Sequence, residues 1–483
     1  MSKPQLVIDL DGTLIRTDLL IESALALMKA NPFYLLLMIY WLTQGKARLK
    51  GEIARRVCLD VTTLPYDERV LEYIRGERRG GRPTALATAS HTRYAQRVAE
   101  HLGLFDRVFA TTDEVNLAAS AKARTLAAAY GEKGFVYAGN ARPDLRVWRH
   151  AAAAIPVGEN RRLLTEVQQS FPVECALPRD RPGVRVYLKA LRVHQWLKNI
   201  LIFLPVLAAH RLGDPSAVTS SVLAFLAFSA CASSVYLLND LLDLPADRRH
   251  PSKRLRPFAA GTLPVEQGLV LIPALLLGAF VVALSLPPLF LWTLLIYYVA
   301  TTAYSFYLKR LLMLDVVVLA GLYTIRVIAG CAATGIPLSY WLFAFSMFLF
   351  LSLAFVKRYT ELVSLRSECR DNVAHGRSYE VGDLEILSSF GAAAGYLSVL
   401  VAALYISSND VQKLYQQPSL LWGICPILLY WISRVWIIAH RGSMHDDPII
   451  FAMKDRVSLL SGALVLAVML SAYSGLHIPG LMP

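Results

Sequence analysis

From about residue 197 to its end, the chain is a succession of apolar runs of 17–22 residues separated by short charged or proline-bearing stretches. A run of that length spans the hydrocarbon core of a bilayer as a helix. Because lipid offers no hydrogen bonds, each such segment must satisfy its backbone internally, which leaves a helical bundle as the architecture for this part. The runs lie near 197–213, 217–238, 266–285, 288–306, 312–332, 339–356, 386–407, 419–439 and 458–477, and predict nine spans. Residues 1–180 instead mix apolar periodicity with frequent charge, as a soluble domain does. The reading is of two domains, a soluble one over 1–178 and a membrane one over 189–483, joined by a Pro- and Arg-rich linker at 179–188.

Lys and Arg in the loops orient the bundle. Arg185, Lys189, Arg192 and Lys198 precede the first span, and Arg248, Arg249, Lys253, Arg254 and Arg256 follow the second. Lys309 and Arg310 follow the fourth, Lys357, Arg358, Arg366, Arg370 and Arg377 the sixth, and Arg441, Lys454 and Arg456 the eighth. The opposite loops carry only Arg211 and Lys413. This asymmetry predicts a multi-pass protein of the cytoplasmic (inner) membrane, its N-terminal domain and sites cytoplasmic and its C-terminus outside. It also accounts for most of the net charge of +13, which therefore gives no ground for a nucleic-acid partner. The six cysteines, at 58, 175, 231, 331, 369 and 425, show neither pairing nor metal-ligand spacing and read as reduced or buried. The first domain opens on a strand, with no cleavable leader ahead of it. A homo-oligomer is compatible with all of this.

The most chemically specific stretch is NDLLDLPADRRHPSKRLRPFAAG, from Asn239 to Gly261. Asp240, Asp243 and Asp247 are spaced to share one helical face. Carboxylates so crowded repel one another unless a divalent cation lies among them, and magnesium with the basic side chains that follow makes a receptor for a diphosphate. The plainer alternative is a solvated charged loop held cytoplasmic by its cations.

In the soluble part, the strand pattern at residues 5–8 ends in Asp9 and Asp11, two residues apart and so aimed the same way out of the strand's carboxyl end, where open α/β sheets hold ligands. Gly12 and Thr13 permit the sharp turn that follows. A second strand over 84–88 ends in Thr88 and Ser90, Lys122 starts a helix, and a third strand over 134–138 runs into Asn140 and Asp144. This is the pattern of a doubly wound sheet. Residues 19–49 form an apolar helical insertion, in which residues 32–43 are too few to span a bilayer and suit a membrane-surface helix, a helix packed on the bundle, or an ordinary core helix.

Residues 4–157 resemble the haloacid dehalogenase-like (HAD) phosphatase superfamily, with the insertion, about residues 17–80, as its cap. The resemblance implies Asp9 as the nucleophile that takes up a phosphoryl group and Asp11 as general acid/base. It gives Thr88, with Ser90 as the alternative, the phosphoryl oxygens, and Lys122 the task of charge neutralisation. Magnesium would be held by Asp9, the Asp11 carbonyl, Asn140 and Asp144. Asn140 stands where the superfamily usually has an acid, which puts the strength of metal binding, and with it the activity, in question.

The set Arg192, Gln195, Trp196, Lys198, Asn199; Asn239, Asp240, Asp243, Asp247; His250, Lys253, Arg254, Arg256; and Tyr304, Ser305, Lys309, Arg310 resembles the UbiA prenyltransferase superfamily over about 185–480. Within it the chain looks closest to the decaprenyl-phosphate phosphoribosyltransferases, which join a polyprenyl phosphate to 5-phosphoribosyl 1-diphosphate (PRPP). In place of a second acidic pair near the fourth-to-fifth connection, this chain has Lys309, Arg310 and the single Asp315, which suits a donor carrying an additional phosphate. The resemblance assigns Asp240, Asp243 and Asp247 to magnesium. It assigns Lys198, Asn239, Lys253, Arg254, Arg256, Lys309 and Arg310 to substrate, with Arg326 set within a span and Lys357, Arg358, Arg377 and Tyr379 on a loop closing over the site. Membrane anchoring is the rival role for that loop, and an internal ion pair the rival for Arg326. The rival functions are prenyl transfer from a prenyl diphosphate to an aromatic or other acceptor, and a non-catalytic soluble domain.

Overall fold

The computed structural model describes residues 3–367, 378–444 and 447–474. It divides into two compact units, Met1–Leu191 with Tyr236–Pro273, and Arg192–Val235 with Ala274–Pro483. The stretch bearing Asp240, Asp243 and Asp247 thus belongs to the same unit as the N-terminal domain.

The first unit is built on a parallel sheet of six strands, β1 Gln5–Ile8, β2 Thr84–His91, β3 Arg107–Thr111, β4 Phe135–Gly139, β5 Ala153–Gly158 and β6 Leu177–Pro178, in the order β3-β2-β1-β4-β5-β6. Alternation along the strands sends Leu6 and Ile8 into one buried cluster with Leu86, Val136 and Ala138, and Val7 into another with Ala85, Ala87, Phe135 and Tyr137. Both faces are therefore covered, as parallel sheets require. Between β1 and β2 the chain forms α1 Leu19–Ala30, α2 Tyr34–Thr43 and α3 Lys46–Arg56, then a helix over Glu68–Arg79. Asp18 caps α1 by accepting from the Ile21 backbone N–H. The linker stretch is folded onto this unit: the Arg179 guanidinium donates to the carbonyls of Gly12 (2.8 Å) and Thr13 (2.7 Å).

The second unit is helical. Among the described residues, eight helices are long and apolar enough to cross a membrane, beginning with Pro215–Leu242 and ending with Arg456–Ser474. Eight of the nine expected spans correspond to these. The remaining one, 197–213, is instead a 3-10 segment over Val193–Phe203 running into a five-residue helix, Leu204–Ala208. Its apolarity is real, but Pro205 interrupts the i to i−4 ladder, and the buried Lys198 and Asn199 turn to polar partners within the unit. The segment packs closely on Leu314–Thr334: a Cβ at Gly330 would come within 2.1 Å of the Ile202 carbonyl oxygen. Leu314–Thr334 is central, sharing a core of Val316, Leu319, Tyr323 and Val327 with Phe350, Leu353 and Phe355 of Tyr340–Ser367. That last helix runs past the expected end at 356, so Lys357 and Arg358 lie on helix and not on the expected loop. Arg377 lies outside the described residues.

Candidate active sites

The ends of β1, β2 and β4 converge on one pocket. The Asp9 carboxylate, buried, accepts from Lys122 Nζ at 2.7 Å. Lys122 reaches it from the first turn of the Ser120–Tyr130 helix and also donates to the Tyr137 hydroxyl at 2.9 Å. Tyr137 in turn donates to Asp144 Oδ1 at 3.0 Å, while the Asn140 and Ala141 backbone N–H groups cap Asp144 Oδ2, each at 3.0 Å. Asp11 Oδ2 accepts from Ser90 Oγ (2.7 Å) and Thr88 Oγ1 (3.1 Å), and its Oδ1 accepts from the Leu19 N–H at the start of α1 (2.9 Å). Gly12, at φ +72°, makes the turn after Asp11, and a Cβ there would strike the Asn140 side chain. Asn140 Oδ1 accepts from Thr13 Oγ1 at 3.2 Å.

Five of the residues singled out in this half, Asp9, Asp11, Thr88, Lys122 and Asp144, are thus brought together, with Asn140 at their edge. Two more escaped the sequence reading. Tyr137 is an ordinary strand residue by pattern, yet it bridges Lys122 to Asp144. Lys50, buried on α3, donates to the Ala89 carbonyl (2.6 Å) and Asn116 Oδ1 (2.8 Å), and burial pulls its pKa down.

The electrostatics are those of a cation-poor pocket. Burial, reinforced by Asp144 and Asp11, pushes the Asp9 carboxyl up to about 7 in spite of Lys122. Three carboxylates have one hydrogen-bonded ammonium, Lys122, with Lys50 acting on Asp11 without such a bond, and the oxygens on offer are of carboxylate, carbonyl and amide type. This charge deficit and donor chemistry fit a hard divalent cation. By side chains alone, however, no group of three His, Cys, Asp or Glu among the described residues forms a metal cage.

The acidic stretch after Pro215–Leu242 is balanced differently. Arg256 Nη1 bridges Asp240 (3.0 Å) and Asp247 (2.7 Å), both buried. Asp243 does not share their face. The helix ends at Leu242, Asp243 caps the short Leu244–Arg249 helix, and its carboxylate accepts from Lys29 of α1 at 2.6 Å. Arg248 forks onto the buried Glu22 of α1 (2.8 Å), and Arg249 pairs with Asp60 (2.8 Å). Lys253 and Arg254 are exposed. The helix that carries Glu22 and Lys29 also supplies the N–H that holds Asp11, so α1 joins the two acidic sites of this unit. Carboxylates with basic side chains beside them are the donor chemistry that suits a divalent cation and an anionic ligand, although among the described residues these three form no metal cage as they stand.

In the second unit, Lys198 Nζ (2.8 Å), Lys357 Nζ (3.0 Å) and the Tyr323 hydroxyl (2.9 Å) converge on Asp447 Oδ2. Although burial pushes the Asp447 carboxyl up, Lys357 and Lys198 hold it well below the ordinary range. Asp447 was missed because one Asp in a short loop carries no motif. Arg326, 4% exposed within its span, donates to Asn199 Oδ1 (2.8 Å), the Tyr297 hydroxyl (3.2 Å) and the Leu322 carbonyl, all of them uncharged. Arg358 and Tyr379 both meet the buried Asp315, at 3.4 and 2.6 Å. Arg310 is exposed and Lys309 half-buried, as is Asn239 in the first unit.

The sequence model of the UbiA prenyltransferase family matches residues 200–454. The chain belongs to the UbiA family. The haloacid dehalogenase-like hydrolase model matches residues 6–149, so this UbiA protein carries a HAD-like domain at its N-terminus. It is 36% identical over 466 residues to the uncharacterized protein y4nM of Sinorhizobium fredii, covering 96% of this chain and 90% of that one. It is 32% identical to the decaprenyl-phosphate phosphoribosyltransferase of Mycolicibacterium smegmatis, over 56% of this chain and 86% of that enzyme. Among solved structures, a UbiA homolog from Archaeoglobus fulgidus bound to DMAPP and Mg2+ is 16% identical with a TM-score of 0.46, covering 60% of this chain and 99% of that one.

Proposed function

We propose that this UbiA-family membrane transferase moves 5-phosphoribose from PRPP to a polyprenyl phosphate, releasing diphosphate, and that its HAD-like domain then removes the 5-phosphate. The observation that carries the transfer reading is the likeness to a decaprenyl-phosphate phosphoribosyltransferase across 86% of that enzyme's length. The abundance of cations around the acidic motif supports it, because PRPP brings two phosphorylated ends.

In this reading Asp240, Asp243 and Asp247 would hold magnesium. Asn239, Lys253, Arg254 and Arg256, in the same unit as those carboxylates, serve the PRPP phosphates. When bound, magnesium supplies the positive charge that the diphosphate needs as it leaves. A lipid phosphate oxygen attacks ribose C1 while the bond from C1 to the diphosphate oxygen breaks. The attacking phosphate is already ionised at neutral pH, so no general base is required, and positioning and charge stabilisation carry the rate. Arg326, a cation within a span whose hydrogen-bond partners among the described residues are neutral, suits the polyprenyl phosphate, since an intramembrane charge calls for a counterion. Lys198 stands beside Lys357 on Asp447 and serves the same anionic ligands.

The product of that step is a phosphomonoester on a lipid. In the HAD-like domain, an Asp9 oxygen would attack its phosphorus as the bond to the ribose 5-oxygen breaks. Asp11 protonates the departing alcohol, and later takes a proton from the water that hydrolyses the aspartyl-phosphate. Thr88 and Ser90 donate to phosphoryl oxygens, and Lys122 offsets their charge. The sites face the cytoplasm of the inner membrane, on the evidence of the loop cations.

The full chain, reconstituted in vesicles with PRPP, a polyprenyl phosphate and magnesium, should yield a pentose-bearing lipid by mass spectrometry, first with and then without the 5-phosphate. A lipid product bearing no pentose, or prenyl transfer from a labelled prenyl diphosphate, would overturn the reading.

A further inference from the structure

The α2 helix, YLLLMIYWLT, has no charged residue, and only Met38 and Trp41 are buried. Three residues apart, these two hold it to Leu27 of α1 and Ile53 of α3. Among the described residues nothing covers the rest of its surface: Phe33 is 76% exposed, Leu36 65%, Tyr40 58%, Ile39 54% and Leu35 50%. A contiguous apolar surface of this kind on a charged domain marks an interaction site.

Its place in the first unit says what covers it. An apolar cavity of about 240 Å³ beneath α2 is lined by Met28, Met38, Leu42, Leu49 and Ile53 of the cap and by Leu269. Leu269 lies in the opening turns of Val265–Ala283, a membrane span, and its neighbour Val270 is 68% exposed. A side chain that shares a cavity with α2 is therefore itself at the edge of the hydrocarbon. Flanking α2, the exposed Lys46 offers a cation that anionic headgroups favour, while Lys29 and Arg48 are paired with Asp243 and Glu52. At ten residues α2 is about 15 Å long, half of what a crossing needs.

We infer that α2 is an interfacial anchor, lying in the plane of the bilayer surface with Phe33, Leu35, Leu36, Ile39 and Tyr40 in the acyl region. The occupant of this face is lipid of the same membrane that holds the bundle. The anchor fixes the cap, and with it the HAD-like domain, at headgroup level, which on the function proposed above is where its lipid-borne phosphomonoester would be met.

The test places the photo-crosslinker p-benzoylphenylalanine at Leu36 in the full chain, in nanodiscs of phosphatidylcholine and phosphatidylglycerol. The control position is the exposed Val115. Mass spectrometry should find lipid adducts at residue 36 on the order of tenfold above the control, the contrast between an inserted and a solvated position. The changes Leu35→Asp and Ile39→Asp should bring the residue 36 yield down to the control level. Adducts at residue 36 confined to a second copy of the chain, or a yield there equal to the control, would overturn the proposal. Because residue 36 is exposed, the probe does not disturb the core.

Discussion

The two acidic sites of the first unit contain the same residue type in opposite electrostatic states. At the ends of β1 and β4, Asp9, Asp11 and Asp144 have Lys122 as their hydrogen-bonded cation, and Asp9 is pushed up to about 7 by burial and its acidic neighbours. After the Pro215–Leu242 helix, each carboxylate already has a cation: Arg256 for Asp240 and Asp247, Lys29 for Asp243. Charge is short in the first pocket, whereas in the second basic side chains already balance the carboxylates. Crowded aspartates therefore do not by themselves say whether charge is missing or merely on loan from the protein.

The largest effect should separate the two sites outright. Asp9→Asn should cut removal of the 5-phosphate on the order of 10⁴-fold, the scale of losing a covalent nucleophile, while diphosphate release from PRPP stays at the wild-type rate. Accumulation of the phosphorylated pentose lipid in mass spectra would show it, and a parallel fall in diphosphate release would mean that the sites are not independent. Asp240→Ala should lower transfer by about 10²–10³-fold, as when preorganised charge stabilisation is removed, with the protein still inserted in the membrane. Full activity of this variant would remove Asp240 from the metal assignment.

Arg256→Ala should raise the KM for PRPP by roughly tenfold to a hundredfold if the guanidinium grips phosphate, which corresponds to one charge-assisted hydrogen bond. An unchanged KM with a weaker response to magnesium would make it a partner of Asp240 and Asp247 only. The pH response sharpens the contrast further. The Asp9 pKa is raised, so the proton is held below about pH 7, and a protonated nucleophile is inert. At limiting magnesium, monoester hydrolysis should thus fall by about tenfold per pH unit below that point, and saturating magnesium should move the midpoint down. The smallest effect belongs to Lys29→Ala. A partly exposed ion pair is worth about 0.2–1 kcal/mol, so removing it should lower the magnesium concentration for half-maximal transfer about twofold to fivefold. A rise in that concentration would show Lys29 to position Asp243 instead of competing for it.

Much of the molecule was legible in the order of residues. The apolar runs announced the membrane helices because length and composition alone decide whether a segment can sit in lipid. Asp9, Asp11, Thr88, Lys122 and Asp144 could be named because a doubly wound sheet delivers its strand ends to one edge, and each residue follows a strand or opens a helix. What periodicity cannot supply is the choice of partner. Lys198 and Lys357 meet on Asp447, and Lys29 reaches Asp243 across 214 residues, because packing places those charges within reach in a setting where unpaired charge is costly. Apolarity is equally silent on hydrogen-bond pattern, so the 3-10 form of Val193–Phe203 emerged only where Pro205, Lys198 and Asn199 met their neighbours. Tyr137 makes the same point within one strand: its sequence position fixed which side of the sheet it faces, and only the fold set its hydroxyl between Lys122 and Asp144.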